Sequence, residues 1–195
     1  ILKSCDFWMM YSMTTMSVLF GIFYLGSYKC YGKEHIKDES FLTMVAYVSS
    51  FAGVFRFLWS ISMVKYSFKF TYGLLIGIQI VIAFILPFIM EMNVSVIAKK
   101  TTYMISICLV QLTEGGHFVI YPVALSKIFG ADGGLMAYSI GFSFAGAASL
   151  INMTIQPLIL EYIKIKGFCF LYGGCSLYAL VLLILATKEP GKFSK

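Results

Sequence analysis

Six apolar runs, at about 7–28, 41–64, 70–90, 102–125, 133–160 and 167–187, leave this 195-residue chain few ways to fold. Each reaches the roughly 20 residues that an α-helix needs to cross a hydrocarbon core about 30 Å thick. The connections between them run to about 5–12 residues, a normal length for joining helices. A membrane β-barrel would show alternating segments of about 10 residues instead, and the sequence has none. With 59% hydrophobic and 12% charged residues, an ordinary soluble domain is excluded. The expectation is an all-α membrane protein of six transmembrane helices, multi-pass in a lipid bilayer. The chain opens on Ile1 and is apolar by Phe7, which suggests a piece of a longer protein.

The net charge of +6 comes from lysines scattered at the ends of these runs. Such residues anchor helix ends by snorkelling, and they form no stripe for a nucleic acid. Lys3, Lys65, Lys69, Lys127, Lys188, Lys192 and Lys195 fall on one side of the membrane. Lys29, Lys33, Lys37, Lys99, Lys100, Lys164 and Lys166 fall on the other. Seven against seven leaves orientation undecided by the positive-inside rule. Cys5, Cys30, Cys108, Cys169 and Cys175 have no metal-type spacing and read as small apolar filler.

The runs differ in polarity. The third carries one strongly polar side chain, Gln79, and the sixth carries none, so these two are expected to face lipid. Polar side chains elsewhere must face the bundle interior or water. Ser49, Gly53, Arg56 and Ser60 share a helical face in the second run. Gln111, Glu114 and His117 do so in the fourth, with Gly115–Gly116 expected to loosen the helix between them. In the fifth, Gly141, Ala145, Ser149, Asn152 and Gln156 form a stripe suited equally to close packing and to lining a cavity.

Arg56 and Glu114 are the only formal charges inside apolar runs. Holding an ionisable group at bilayer depth costs about 3 kcal/mol on insertion scales, so each marks a site by default. Arginine keeps its charge and offers a planar fork of donors suited to a carboxylate. Two uses compete: a structural ion pair with Glu114, or a grip on an anionic solute. Glu114 is also a candidate proton carrier, because burial disfavours a charged carboxylate. Catalytic patterns are thin. Gly141-Phe-Ser143-Phe-Ala145 has nucleophile-like spacing but lies in a helical run rather than at a strand–helix elbow. His35 sits in a charged connection. No enzyme activity, metal or cofactor is expected.

Two stretches carry a family resemblance. Gly53-Val-Phe-Arg56-Phe-Leu-Trp59-Ser60, followed by Lys65-Tyr-Ser-Phe-Lys69, is similar to the second helix and basic loop in the C-terminal half of major facilitator superfamily transporters. Glu114-Gly-Gly-His117-Phe-Val-Ile-Tyr-Pro122, Lys127-Ile-Phe-Gly130 and Ala137-Tyr-Ser-Ile-Gly141 resemble the fourth and fifth helices of oxalate/formate antiporter-like and monocarboxylate porters. The resemblance covers essentially the whole chain. The 3+3 arrangement over 1–195, which lipid-facing third and sixth spans suggest with four interior helices around a cavity, carries it too. The resemblance implies one half of a twelve-helix carrier whose N-terminal half is missing, with cytosolic termini. It also implies an arginine, here Arg56, that engages a substrate carboxylate. The chain departs from the pattern in three places. Ile61-Ser-Met-Val-Lys65-Tyr66 keeps only the basic character of the superfamily's loop. The fifth run lacks the lysine used for dicarboxylates, so one cation fits one carboxylate. Ala52 stands where monocarboxylate carriers place an aspartate.

The expected function is secondary transport of a small organic anion such as a monocarboxylate, by antiport or symport, with protons a candidate partner. The expected lining is Tyr11, Thr15, Arg56, Gln111, Glu114, His117, Asn152 and Gln156. The alternatives are a carrier of another small solute, or a non-transporting channel or scaffold in which Arg56 pairs with Glu114.

Overall fold

The computed structural model describes residues 2–185, the side chains of 159–161 excepted. Its helices are α1 (Cys5–His35), α2 (Glu39–Val54), α3 (Phe57–Lys65), α4 (Phe68–Glu91), α5 (Val96–Gly141) and α6 (Ser143–Leu185). Among the described residues there is no strand. Five stretches are long and apolar enough to cross a membrane: Cys5–His35, Glu39–Lys65, Phe68–Glu91, Val96–Leu158 and Tyr162–Leu185. The fold is all-helical and of the kind a multi-pass membrane protein adopts. Lys188, Lys192, Lys195 and the end of the sixth run lie outside the described residues.

Local chemistry sets the helix starts. The side chains of Asp38, Ser67 and Ser95 accept from the backbone N–H groups of Phe41, Phe70 and Ala98 at 3.0, 3.2 and 3.2 Å. Each satisfies a donor that the first helical turn leaves without an internal partner. Asp38 does double duty, because it also takes a hydrogen bond from Lys100 at 2.5 Å and so ties the α1–α2 connection to the start of α5.

α5 and α6 each fold back on themselves. Gly130 has φ 78° and ψ 176°, a conformation glycine adopts at little cost. Around it Gly134 packs on Ser126, Tyr138 on Tyr121 and Phe142 on Phe118. Contacts at matched sequence distance on either side of one residue mean that the chain reverses there. Lys164, with φ 52° and ψ 179°, marks a second reversal, across which Tyr172 donates to Asn152 at 2.9 Å. Both fall in connections expected from the apolar pattern.

The core forms around α1. Phe23 stacks on Phe168 and meets Tyr172, with ring centroids 5.3 and 5.1 Å apart. In an apolar 18-residue window of each stretch, 61% of the residues are buried in Cys5–His35, against 17% in Glu39–Lys65 and 44% in Phe68–Glu91. The second run, read as one of four helices around a cavity closed by an absent half, is the least buried of the five stretches. The third, read as lipid-facing, turns Tyr72, Leu75, Ile76, Gln79 and Ala83 inward and leaves Leu74, Val81, Ile85 and Phe88 outward. One glutamine is enough to orient such a helix, because an unsatisfied amide in lipid is costly.

The Asp38 tie predicts an acid limit. The Lys100 ammonium, and after it the Phe41 N–H, hold the Asp38 carboxyl below its ordinary value. A depressed folded value gives stability that is present above the unfolded value, about 3.9, and is lost as pH falls through the folded one. Thermal melting of the wild type and Asp38→Asn is expected to differ at neutral pH and to converge in acid. A difference that is constant with pH would exclude the tie.

Candidate functional site

Arg56 stands at the junction of α2 and α3, where the winding changes. The N–H groups of Phe55, Arg56, Leu58 and Trp59 bond to carbonyls three residues back, at 3.1, 3.3, 2.9 and 3.1 Å. At three residues per turn, side chains three apart stack in a row instead of drifting around the helix. Gly53, Arg56 and Trp59 therefore form one edge, and all three meet α5. A Cβ on Gly53 would lie 3.2 Å from Gln111. A Cβ on Gly115 would lie 3.1 Å from the Arg56 Cβ, and one on Gly116 would lie 2.8 Å from Trp59 Nε1. Trp59 Nε1 donates to the Leu112 carbonyl at 2.9 Å, and Lys127 Nζ to the Met63 carbonyl at 3.2 Å, which clamps α3 in place. The paired glycines of α5 do not loosen it, as the sequence suggested. They let α3 approach its backbone.

This packing leaves a groove of about 370 Å³ lined by Ser50, Gly53, Val54, Arg56, Gln111 and Gly115. Clefts elsewhere, such as those around Phe70–Leu183 and Met16–Tyr178, are lined almost wholly by apolar side chains. Arg56 is exposed and has no ion-pair partner among the described residues. The ion pairs there are Lys33–Glu39, Lys100–Asp38 and Lys166–Glu91, all at helix ends. The Arg56–Glu114 pair, which the sequence leaves open, is not made. Arg56 presents a free fork of donors at the wall of a half-polar groove.

Glu114 turns elsewhere. It is buried, and its carboxyl rests against Gly21 of α1, where any Cβ would overlap it. One turn on, His117 is fully buried, with Nε2 2.9 Å from Ser17 Oγ. Ser17 in turn donates to Gln79 Oε1 at 2.8 Å. A hydroxyl has one hydrogen to give, so His117 Nε2 is the donor to Ser17 and a neutral ring carries a bare lone pair at Nδ1.

The remaining expected residues divide between two places. Tyr11 Oη lies 3.2 Å from Ser143 Oγ, and Thr15 donates to the Tyr11 carbonyl at 2.8 Å. Asn152 donates to Gln156 at 3.3 Å while accepting from Tyr172, and Gln156 donates to Ser27 at 2.9 Å. Those two amides hold α6 to α1. Of the eight expected residues, only Arg56 and Gln111 line the groove. Glu114 and His117 belong to a separate buried cluster with Thr14, Ser17, Tyr72 and Gln79. Sequence reasoning passed over Thr14, Ser17 and Gly21, although their spacing puts them on one face of α1.

No family model and no curated protein matches this chain. The fold and groove define an all-helical bundle of the multi-pass membrane type with a lone arginine at a half-polar cleft.

Proposed function

We propose that the chain is one six-helix half of a major facilitator-type secondary transporter that moves a small organic anion, such as a monocarboxylate, by alternating access. The observation that carries this reading is Arg56, a permanent cation beside a groove with no carboxylate among the described residues to neutralise it. A buried or lipid-facing arginine needs a counter-charge, and a bidentate carboxylate matches its fork. Gln111, across the groove, adds a neutral donor and acceptor. A single cation favours a singly charged solute.

The reversals at Gly130 and Lys164 support the six-span count, since each divides a helix too long for one crossing. The exposed side chains of α2 (Tyr47, Phe51, Val54) and of 143–158 (Leu150, Met153, Leu158) would meet a second six-helix half. The groove would then open at the midplane between two bundles that rock about it. The rival scaffold reading would tolerate an Arg56–Glu114 pair as glue, and among the described residues that pair is not made.

The test is carboxylate uptake into vesicles by the full-length carrier, with Arg56→Lys and Arg56→Gln. Both variants are expected to lose uptake by about 10²-fold or more, as a positioning contact does when a planar fork is replaced. Unchanged transport in Arg56→Gln would overturn the reading.

A further inference from the structure

We propose that the cleft between the start of α4 and the end of α6 holds an acyl chain of an anionic phospholipid, whose phosphate meets Lys69. The cleft has a volume of about 320 Å³. Its walls are Phe70 and Leu74 of α4 with Leu180 and Ile184 of α6, and Lys69 stands at one end. Phe70, Leu74 and Ile184 are exposed, so the cleft opens outward, on the side of α4 turned away from Tyr72 and Gln79.

The sequence of α4 shapes this cleft. Lys69, Gly73 and Gly77 follow at intervals of four, so a cation and two missing side chains stand in one row along the helix. At roughly 1.5 Å per residue the row is about 12 Å long. A Cβ on Gly73 would find Leu183 Cδ2 at an ordinary 3.6 Å, and one on Gly77 would meet nothing within 4 Å among the described residues. At Gly21 and Gly116, by contrast, a neighbouring side chain already fills the space. The two glycines of α4 therefore serve no close helix contact. They leave a trough.

Charge selects the lipid. Lys69 Nζ donates to the Ile184 carbonyl at 3.3 Å, which holds the ammonium over the mouth of the cleft without neutralising it. Lys65 ends α3 one short connection earlier, and Lys127 at the same end is likewise met by a carbonyl, that of Met63. Among the described residues, α3, α4 and the second half of α6 bring no acid to this end; Asp6 and Asp132 belong to α1 and α5. The opposite end differs, because Lys33, Lys100 and Lys166 pair there with Glu39, Asp38 and Glu91.

The surroundings suit a lipid at the same depth. Tyr66 packs on Phe70 with ring centroids 5.0 Å apart, and an amphipathic ring beside lysines at a span end is what the headgroup region favours. Hydrocarbon asks for no hydrogen bonds, and the walls of the cleft are apolar side chains that offer none. One lysine near the surface favours an anionic headgroup over a neutral one by about fivefold. The apolar cleft around Met16 and Tyr178 has no cation in its lining, so it has no ground for choosing a lipid by charge.

This inference needs the chain in a bilayer but no transported solute, so it and the transport reading fail separately. The experiment places the purified full chain in nanodiscs of phosphatidylglycerol and phosphatidylcholine in equal parts, with identical acyl chains. Native mass spectrometry then counts the lipid that the released protein retains. One phosphatidylglycerol is expected, favoured about fivefold over phosphatidylcholine. Lys69→Gln should abolish the preference, and Gly73→Leu, which fills the trough with the lysine intact, should release the lipid. Lys99→Gln, at the opposite end, should change neither. Glycerol phosphate, a headgroup without a chain, should not compete at equal ionic strength; competition would assign the site to free phosphate and overturn the proposal. Equal retention of the two lipids, retention of neither, or phosphatidylglycerol that survives either the Lys69 or the Gly73 substitution overturns it too.

Discussion

Gly116→Val is expected to detach α3 from α5 and to destabilise the bundle by about 1–3 kcal/mol or more, the usual range for overpacking a filled site. A Cβ at this position would stand 2.6 Å from Leu75 Cδ1 and 2.8 Å from Trp59 Nε1. Both neighbours are themselves held, Leu75 in the core and Trp59 by its bond to the Leu112 carbonyl, so neither can simply swing away. Trp59 is one of two tryptophans, which makes the event visible by fluorescence in a Trp8→Phe background. The emission is expected to shift to the red and the melting temperature to fall. Gly115→Ala, whose Cβ would meet the Arg56 Cβ at a looser 3.1 Å, should be milder. Wild-type emission and melting in Gly116→Val would show that Trp59 is not wedged there.

The second large effect is expected at Ser17. Its hydroxyl is the single link between Gln79 Oε1 and His117 Nε2 in a fully buried cluster. Ser17→Ala removes both bonds and leaves an acceptor and a donor stranded, at about 1–3 kcal/mol each. Ser17→Thr keeps the hydroxyl and should recover most of the loss. Thermal denaturation of the two variants in one detergent separates the hydroxyl from the volume around it. If alanine melts with the wild type, the link contributes nothing.

The helices themselves were legible in the sequence, because long apolar runs obey one constraint: every backbone group must be satisfied inside its own segment. The reversal at Gly130 was legible too, since Gly130-Ala-Asp-Gly-Gly134 offers turn residues. Lys164 sits between Ile163 and Ile165, where only the end of an apolar run hints at a turn. What periodicity could not supply was the partner of each face. The spacing of Glu114 and His117 put them on one side of α5, and chemistry alone suggested Arg56 as the counter-charge. The deciding residue was Gly21, whose missing side chain draws the carboxyl to α1. A glycine in an apolar run looks like every other glycine until its neighbour is known. The third run shows a related point: hydropathy ranks a helix but does not say which of its sides meets protein.

The tight stretch from Ala52 to Trp59 has a mechanical meaning beyond the alignment it produces. A segment wound at three residues per turn is over-twisted by about 20° per residue relative to an α-helix. Letting it relax would rotate everything beyond it like a loosened screw, carrying the guanidinium of Arg56 sideways while Ser60 and Lys65 turn still further. The Trp59 and Lys127 bonds at the far end oppose such a rotation. A change of pitch here would re-aim the arginine, which no ion pair among the described residues holds in place.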